Sequence, residues 1–503
     1  MKPAGYLWLI EHFSLRAPEP YKKSFLTTGS IRTREIMPEG EEEYFPARFL
    51  SESTWKGHLL FALKNEGINL FILKAMYQQL SQEQLITFIQ SKKTSVYLRK
   101  VWFFYEFLTG RELSIPPLKN GNYDYVLSPD EYFVLDHKTS FRAQRQRLIC
   151  NLPGNADFCP MVRMTKKIKE FLKVDYQKQI SDVLNRYPAE LIYRAGQFLY
   201  LKETKSSYAI ERQTPNQKRT NSFMTLLSQA GRQPITKALL LQLQNTIVDE
   251  RYAETDYRHD QVYVGQTIRP GHEFVHFIGA KPEAVSSLMS AFLDTTARMV
   301  SSECNSIIPA ALLSFAFVFI HPFDDGNGRI HRYLMHHILA EKKFCPGNII
   351  FPVSAVLYKN AAKYDWMLER FSKKLLPLVE YRLDDAGVMT VENDTTDYYR
   401  YINFTGIVED FFEVIEDTLK TELIPELDYL WAWDRAREKM RSVVDLPEQK
   451  ALQIIMFLQQ NQGKFPCSRR KLFEELTEEE IAKITEIVRT EILECNNDNN
   501  DFA

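Results

Sequence analysis

The chain has 503 residues, 63 Lys and Arg against 65 Asp and Glu for a formal net charge of −2, with 45% hydrophobic and 25% charged residues. These values exclude wholesale disorder and a globally basic nucleic-acid binder, and the length suggests roughly two to four folded units. The six cysteines (Cys150, Cys159, Cys304, Cys345, Cys467 and Cys495) form no CxxC pair, which favours free thiols in a reducing compartment over a disulfide framework or a zinc site.

In chain order, MKPAGYLWLIEHFSL is a poor secretory signal, because Glu11 and His12 interrupt its short apolar run. Residues 1–50 read as irregular and extended, with EGEEEY (Glu39 to Tyr44) as a solvated acidic loop. Residues 55–111 carry apolar residues at three- and four-residue intervals, the mark of amphipathic helices, and Gly110 with Pro116-Pro117 ends that block. Residues 118–165 read as loops with a short hairpin. The helical pattern then runs from about Thr165 to Leu378, broken once by QVYVGQTIRPGHEFVHF (Gln261 to Phe277). β-Branched and aromatic residues flank Arg269-Pro270-Gly271 there, which predicts a β-hairpin. The apolar run Ile307 to Ile320 is too short for a bilayer and predicts a buried core helix. A polar stretch from Leu383 precedes more helix, and three short helical patterns close the chain: Glu448–Gln460, Arg469–Leu476 and one opened by the capping box Thr477-Glu478-Glu479-Glu480. The tail CNNDNNDFA predicts disorder. The expected divisions are 1–164, 165–380, 381–440 and 441–503.

The segment that carries chemistry is His321-Pro-Phe-Asp-Asp-Gly-Asn-Gly-Arg-Ile-His-Arg332, between the apolar run and a second helical pattern. Gly326 and Gly328 permit close backbone approach, so successive N–H groups can line one concavity, and the following helix start adds its unpaired amides. Arg329 and Arg332 can reach anionic oxygens in bidentate fashion. Asp325 offers a hard carboxylate suited to Mg²⁺ beside substrate phosphates. His321 has the pKa range of a general base. Pro322 and Phe323 fix the loop. These parts together suit a polyphosphate.

The string resembles the Fic family signature HPFx(D/E)GNGRxxR at every fixed position. The resemblance implies a mainly α protein: a Fic-fold helical core with a β-hairpin flap, a helical N-terminal region and winged-helix-like helices at the C-terminus. It implies a protein adenylyltransferase that moves AMP from ATP to a Ser, Thr or Tyr hydroxyl of a protein target. Carried over by position, His321 would deprotonate that hydroxyl and Asp325 would hold Mg²⁺. Gly326, Asn327, Gly328 and Arg329 would cradle the phosphates, and Arg332 would hold the γ-phosphate. The hairpin matches the family's flap, with Val262, Tyr263, Val264 and Gly265 as the strand to which target backbone would add. HFIGAKPEAV stands where the family has a proline-rich stretch after the flap.

Upstream, Ser207 and Glu211 in SSYAIER are four apart and share a helix face. The pattern resembles the family's inhibitory motif (S/T)xxxE(G/N), which implies that Glu211 salt-bridges Arg332 and excludes the γ-phosphate; Arg212 replaces the usual Gly or Asn. The sequence does not separate AMP addition from AMP removal at the same site. ALKNEG (Ala62 to Gly67) lacks the hydroxyl of a second inhibitory motif and reads as helix packing, KKIKEFLK (Lys166 to Lys173) reads as a solvated face, and His336 and His337 read as packing or surface residues. Residues 441–503 hold 8 basic and 12 acidic residues despite Arg469-Arg470-Lys471, which leaves DNA binding open and makes a protein contact or homodimer at least as plausible. The expectation is a cytoplasmic, bacterial-type enzyme with no membrane contact, able to modify itself as well as a target. The alternative is a nucleotide-binding regulator that binds DNA or a partner through its C-terminal helices.

Overall fold

The computed structural model describes residues 1–37, 40–269, 272–346 and 349–493, and helix accounts for 56% of the described residues. It divides into two compact units that interleave in sequence: Met1–Val174, Gln229–Lys343 and Asn360–Phe412 form the first, and Asp175–Ser228, Phe344–Lys359 and Glu413–Ala503 the second.

The first unit opens differently from the sequence expectation. Residues 1–50 are not irregular. Strands β1 (Lys2–Ala4), β2 (Lys22–Thr27), β3 (Thr33–Met37) and β4 (Gly40–Pro46) form one sheet in the order β1-β2-β4-β3. The acidic run that reads as a solvated loop is strand β4 from Gly40 onward, while Glu39 lies outside the described residues. Alternation explains it: Glu41, Glu43 and Phe45 share a face, and all three are buried. The two buried carboxylates survive desolvation because neighbouring strands supply cations, Arg34 and Lys22 to Glu41 and Arg32 to Glu43.

The periodic stretch 55–111 forms the helices Trp55–Asn65, Leu70–Gln79, Gln82–Ser91 and Val96–Thr109 around a core that includes Leu73, Met76 and Trp102. Gly110 ends the last of them at φ 66, a left-handed cap that suits glycine. ALKNEG is packing, as read: Glu66 is buried and its carboxylate accepts the Tyr6 amide at 2.7 Å. A three-stranded sheet follows, β5 (Asp124–Tyr125), β6 (Phe141–Ala143) and β7 (Leu148–Cys150), in the order β5-β7-β6. In KKIKEFLK the lysines are exposed and Ile168 faces inward.

The predicted hairpin is present as antiparallel strands β8 (Tyr263–Arg269) and β9 (His272–Ile278), bulged at Val264/Gly265. Its predicted turn residues Pro270 and Gly271 lie outside the described residues. Every residue of helix Ile307–Ile320 is buried, which is why that run carries no polar stripe. The polar stretch after Leu378 contains a second hairpin, β10 (Tyr381–Leu383) with β11 (Met389–Val391). Its turn touches the first hairpin, since the Tyr263 hydroxyl donates to the Gly387 carbonyl at 3.3 Å.

In the second unit, helix Ala189–Ile210 is held by its own neighbours. Glu203 accepts the Ser354 amide at 2.9 Å, and Lys202 pairs at 2.8 Å with the fully buried Glu422. A separate core that includes Ala436, Ile455, Leu458 and Ile484 joins helices Ile424–Val443, Glu448–Gln460 and Glu478–Val488. The Thr477/Glu480 capping box forms as read, while the middle pattern is a 3₁₀ turn, Cys467–Phe473. Among the described residues from 413 to 493 no strand forms, so these helices have no wing. The polar tail lies outside the described residues. Among the described residues no helix is long and apolar enough to cross a membrane.

Candidate active site

The site is built on one helix–loop–helix of the first unit. Helix Ile307–Ile320 ends at His321, which takes φ 56 and ψ 63, the left-handed conformation normally left to glycine. For a non-glycine residue this costs roughly 1–2 kcal/mol, and such strain concentrates at functional positions. The conformation turns the imidazole back over its own helix, with Nδ1 at 3.1 Å from the Val318 carbonyl. A carbonyl can only accept, so Nδ1 carries the proton and Nε2 keeps its lone pair. Burial, with a smaller contribution from the Arg258 charge, pushes the His321 pKa down to about 4, so the ring is a neutral base at physiological pH. The Phe277 ring of the flap sits 5.7 Å from the His321 ring.

The loop that follows is stapled from within. The Asn327 side chain accepts the Phe323 amide at 3.1 Å and donates to the Phe323 carbonyl at 2.7 Å. Both ends of its amide are thereby engaged with the loop, so its side chain shapes the concavity. Phe323 is fully buried beside Phe317 and Tyr257, the anchor expected of it. Gly326 has φ 90, and a Cβ there would meet Val248 at 3.1 Å, so glycine is required. Gly328, by contrast, lies inside helix Asn327–Glu341 and needs no positive φ. No side chain caps that helix, so its first amides remain directed at the loop.

Asp325 is held by one oxygen. Its Oδ1 accepts the Gly326 amide at 2.6 Å and Arg329 at 2.9 Å, while Oδ2 makes no hydrogen bond among the described residues. The carboxylate is 45% exposed, whereas Arg329 is buried and also donates to the Ile247 carbonyl at 3.1 Å. Arg329 thus orients the carboxylate and ties the loop to the end of helix Lys237–Ile247. Arg332 is also buried, and one guanidinium nitrogen reaches the Tyr364 hydroxyl at 3.4 Å. His336 and His337 are interior packing: the His337 ring receives the Gly231 amide at 3.3 Å and lies 2.9 Å from the Gln233 carbonyl. His331, fully buried between Phe315 and Tyr364, is depressed to about 3 by burial and is likewise structural.

Three contributors escape the sequence pattern. Glu254 accepts the Asp324 amide at 3.0 Å, and burial lifts its pKa to about 7. Gln244 holds Glu254 in place at 3.1 Å. Arg258 donates from Nε to the His321 carbonyl at 2.6 Å, and its own amide donates to the Pro322 carbonyl at 2.9 Å. All three lie in ordinary polar contexts before the hairpin, with no spacing that marks them.

The root of the β8–β9 hairpin adjoins His321. The Gly279 amide donates to the Val262 carbonyl at 3.0 Å, and a Cβ on Gly279 would lie 3.3 Å from His321 Cβ. Val262 and Tyr263 are half-buried, while Val264 and Gly265 are exposed. Ser207 and Glu211 lie in the second unit. Ser207 is buried in the last turn of helix Ala189–Ile210, and Glu211 is the residue that caps that helix. Arg212 then takes φ 55. The position where the resembling motif has Gly or Asn is therefore one that needs left-handed backbone, and Arg212 adopts it without either residue's advantage. Arg212→Gly is expected to stabilise the second unit by about 1 kcal/mol, read as a higher midpoint in a denaturant titration. An unchanged or lower midpoint would show that the Arg212 side chain offsets the strain.

Residues 234–339 match the model of the Fic/DOC family. A Protein adenylyltransferase Fic of Drosophila willistoni is 36% identical over 97 residues, which is 19% of this chain and 17% of that relative. The like-named protein of Nematostella vectensis is 37% identical over 95 residues, 19% of this chain and 20% of its own length. The chain thus spans about a fifth or less of the curated relatives it matches. Among solved structures, a Fic family protein from Desulfovibrio desulfuricans G20 is 17% identical, with 66% of this chain and 89% of that one covered at a TM-score of 0.37. The family match takes in helix Lys237–Ile247, the flap hairpin and the loop from His321 to Arg332 with the helix behind it. Residues 234–339 of the chain therefore carry a domain similar to those of the Fic/DOC family.

Proposed function

We propose that the protein transfers AMP from ATP to a hydroxyl of a protein target. The observation that carries this reading is an imidazole at the mouth of a glycine turn that opens a helix, with Nδ1 held by the Val318 carbonyl so that Nε2 would serve as the base. In the reaction, Nε2 takes the proton of a Ser, Thr or Tyr hydroxyl and the oxygen attacks the α-phosphorus. The bond to the β-phosphate breaks, and pyrophosphate leaves with its electron pair. Such transfer needs little more than positioning and charge neutralisation. The amides at the start of helix Asn327–Glu341 would face the phosphates, and the buried Arg332 would take the γ-phosphate.

Mg²⁺ fits the residues present, because Asp325 Oδ2 is a free hard donor beside the loop and Mg²⁺ needs only one or two carboxylates besides substrate phosphates. When bound, the ion would neutralise phosphate charge. Among the described residues no cluster of three or more His, Cys, Asp or Glu could hold a metal unaided, so Asp325 and the nucleotide would share it. Glu211 would act as a brake by competing with the γ-phosphate for Arg332, a role supported by the resemblance of the Ser207–Glu211 segment to the inhibitory motif, from which Arg212 departs. Hydroxyls of the protein itself would be further acceptors in the same transfer.

The direct test compares ATP labelled at the α- and at the γ-phosphate in one incubation with Mg²⁺ and lysate. Label from the α-position alone is expected in protein. Label from the γ-position would mean phosphate transfer, and no label from either would leave the nucleotide bound without transfer.

A further inference from the structure

Arg258 is 3% exposed, and although Asp324, Glu254 and Asp260 bring negative charge near it, none pairs with it directly among the described residues. A buried guanidinium without a counter-ion is costly unless its donors are well placed. Here they end on three carbonyls from three segments. Nε donates to His321 at 2.6 Å, Nη1 to Asp260 at 2.6 Å and Nη2 to Ala280. Asp260 leads into strand β8 and Ala280 follows strand β9, so the side chain closes the two feet of the flap and joins them to the base.

The surrounding backbone repeats the connection. The Arg258 amide donates to Pro322 at 2.9 Å, and the Ala280 amide donates to Ile320 at 3.3 Å. The Gln261 side chain donates to Gly279 at 2.9 Å. At Gly279 a Cβ would stand 2.9 Å from Val262, 3.1 Å from Arg258 Nη2 and 3.3 Å from His321 Cβ, so three parts converge where only glycine fits.

We propose that Arg258 is a positioning residue that fastens the flap root to the His321 loop, so that the strand presenting the acceptor hydroxyl and the base that takes its proton move as one rigid piece. The inference rests on the transfer reading for its catalytic consequence but not for its mechanical one. A guanidinium can span three carbonyls, whereas a lysine ammonium keeps the charge on a single head and cannot.

Two measurements on the full-length chain test it. In hydrogen–deuterium exchange without nucleotide, Arg258→Lys is expected to speed exchange in peptides covering both 261–280 and 317–326. Helices Trp55–Asn65 and Ala189–Ile210 should be unaffected. Faster exchange in only one of the two segments, in neither, or throughout the chain would overturn the proposal. In the Glu211→Gly chain with α-labelled ATP and Mg²⁺, Arg258→Lys is expected to lower kcat about ten- to a hundredfold at unchanged KM for ATP, and Arg258→Met to lower it further. A raised KM with unchanged kcat, or no change in either, would also overturn it. If the Glu211→Gly chain labels nothing, the transfer reading has failed, and the exchange result alone decides whether Arg258 is the clamp.

Discussion

His321→Ala is expected to lower the rate of AMP transfer by about two to four orders of magnitude, the usual contribution of a positioned general base, while ATP still binds. The separation follows from the geometry. The imidazole is held by Val318 on its own helix, whereas the loop is shaped by Asn327 on Phe323 and by Arg329 on Asp325 and Ile247. None of those contacts uses the imidazole. Alanine is no better suited than histidine to the left-handed backbone at this position, so the turn keeps the same strain. The sign of the pH dependence is also set. The base works deprotonated, and its pKa is lowered from 6.5 to about 4, so activity should stay level on acidification and fall only as pH drops through about 4. A limb near 6.5 in the parent that disappears in no variant but His321→Ala would place the ring in water instead. Undiminished transfer in His321→Ala would remove the base assignment altogether.

Glu211→Gly is expected to raise labelling from α-labelled ATP about five- to a hundredfold, the range of a coupling of one to a few kcal/mol. The direction follows from the chemistry. A carboxylate that occupies a guanidinium meant for the γ-phosphate leaves the nucleotide with its α-phosphorus out of line, and removing the carboxylate restores the anion's partner. Glu211→Gln separates charge from shape, since it keeps the side chain at the end of helix Ala189–Ile210 but abolishes the negative charge. Both variants should label more than the parent. Equal or lower labelling in both would eliminate the brake.

Much of the site was legible because its chemistry is contiguous. The residues proposed as base and metal ligand, the glycine turn and two arginines lie between His321 and Arg332, and an apolar run with no polar stripe announces the buried helix before them. The hairpin was legible from β-branched and aromatic residues on either side of a turn. What the sequence hid depends on distant partners. Glu41 and Glu43 look like solvent-facing acids until strands β2 and β3 bring Lys22, Arg32 and Arg34 alongside. The contacts by which the Asn327 and Arg329 side chains hold the loop and Asp325 depend on the folded turn and leave no mark in the local pattern. Arg258 is one arginine in a polar loop, and only the closure of the flap feet onto His321 distinguishes it. The left-handed residues His321 and Arg212 carry no warning, because the backbone adopts that conformation for reasons of position.

AMP transfer is defined by which bond of the nucleotide breaks and where the fragment goes. Tandem mass spectrometry of proteins recovered after incubating the Glu211→Gly chain with ATP and Mg²⁺ reads both at once. An AMP adduct on a Ser, Thr or Tyr side chain, absent when His321→Ala is combined with Glu211→Gly, is the result this structure predicts. A phosphate adduct on those side chains, or an AMP adduct that persists without His321, would contradict it.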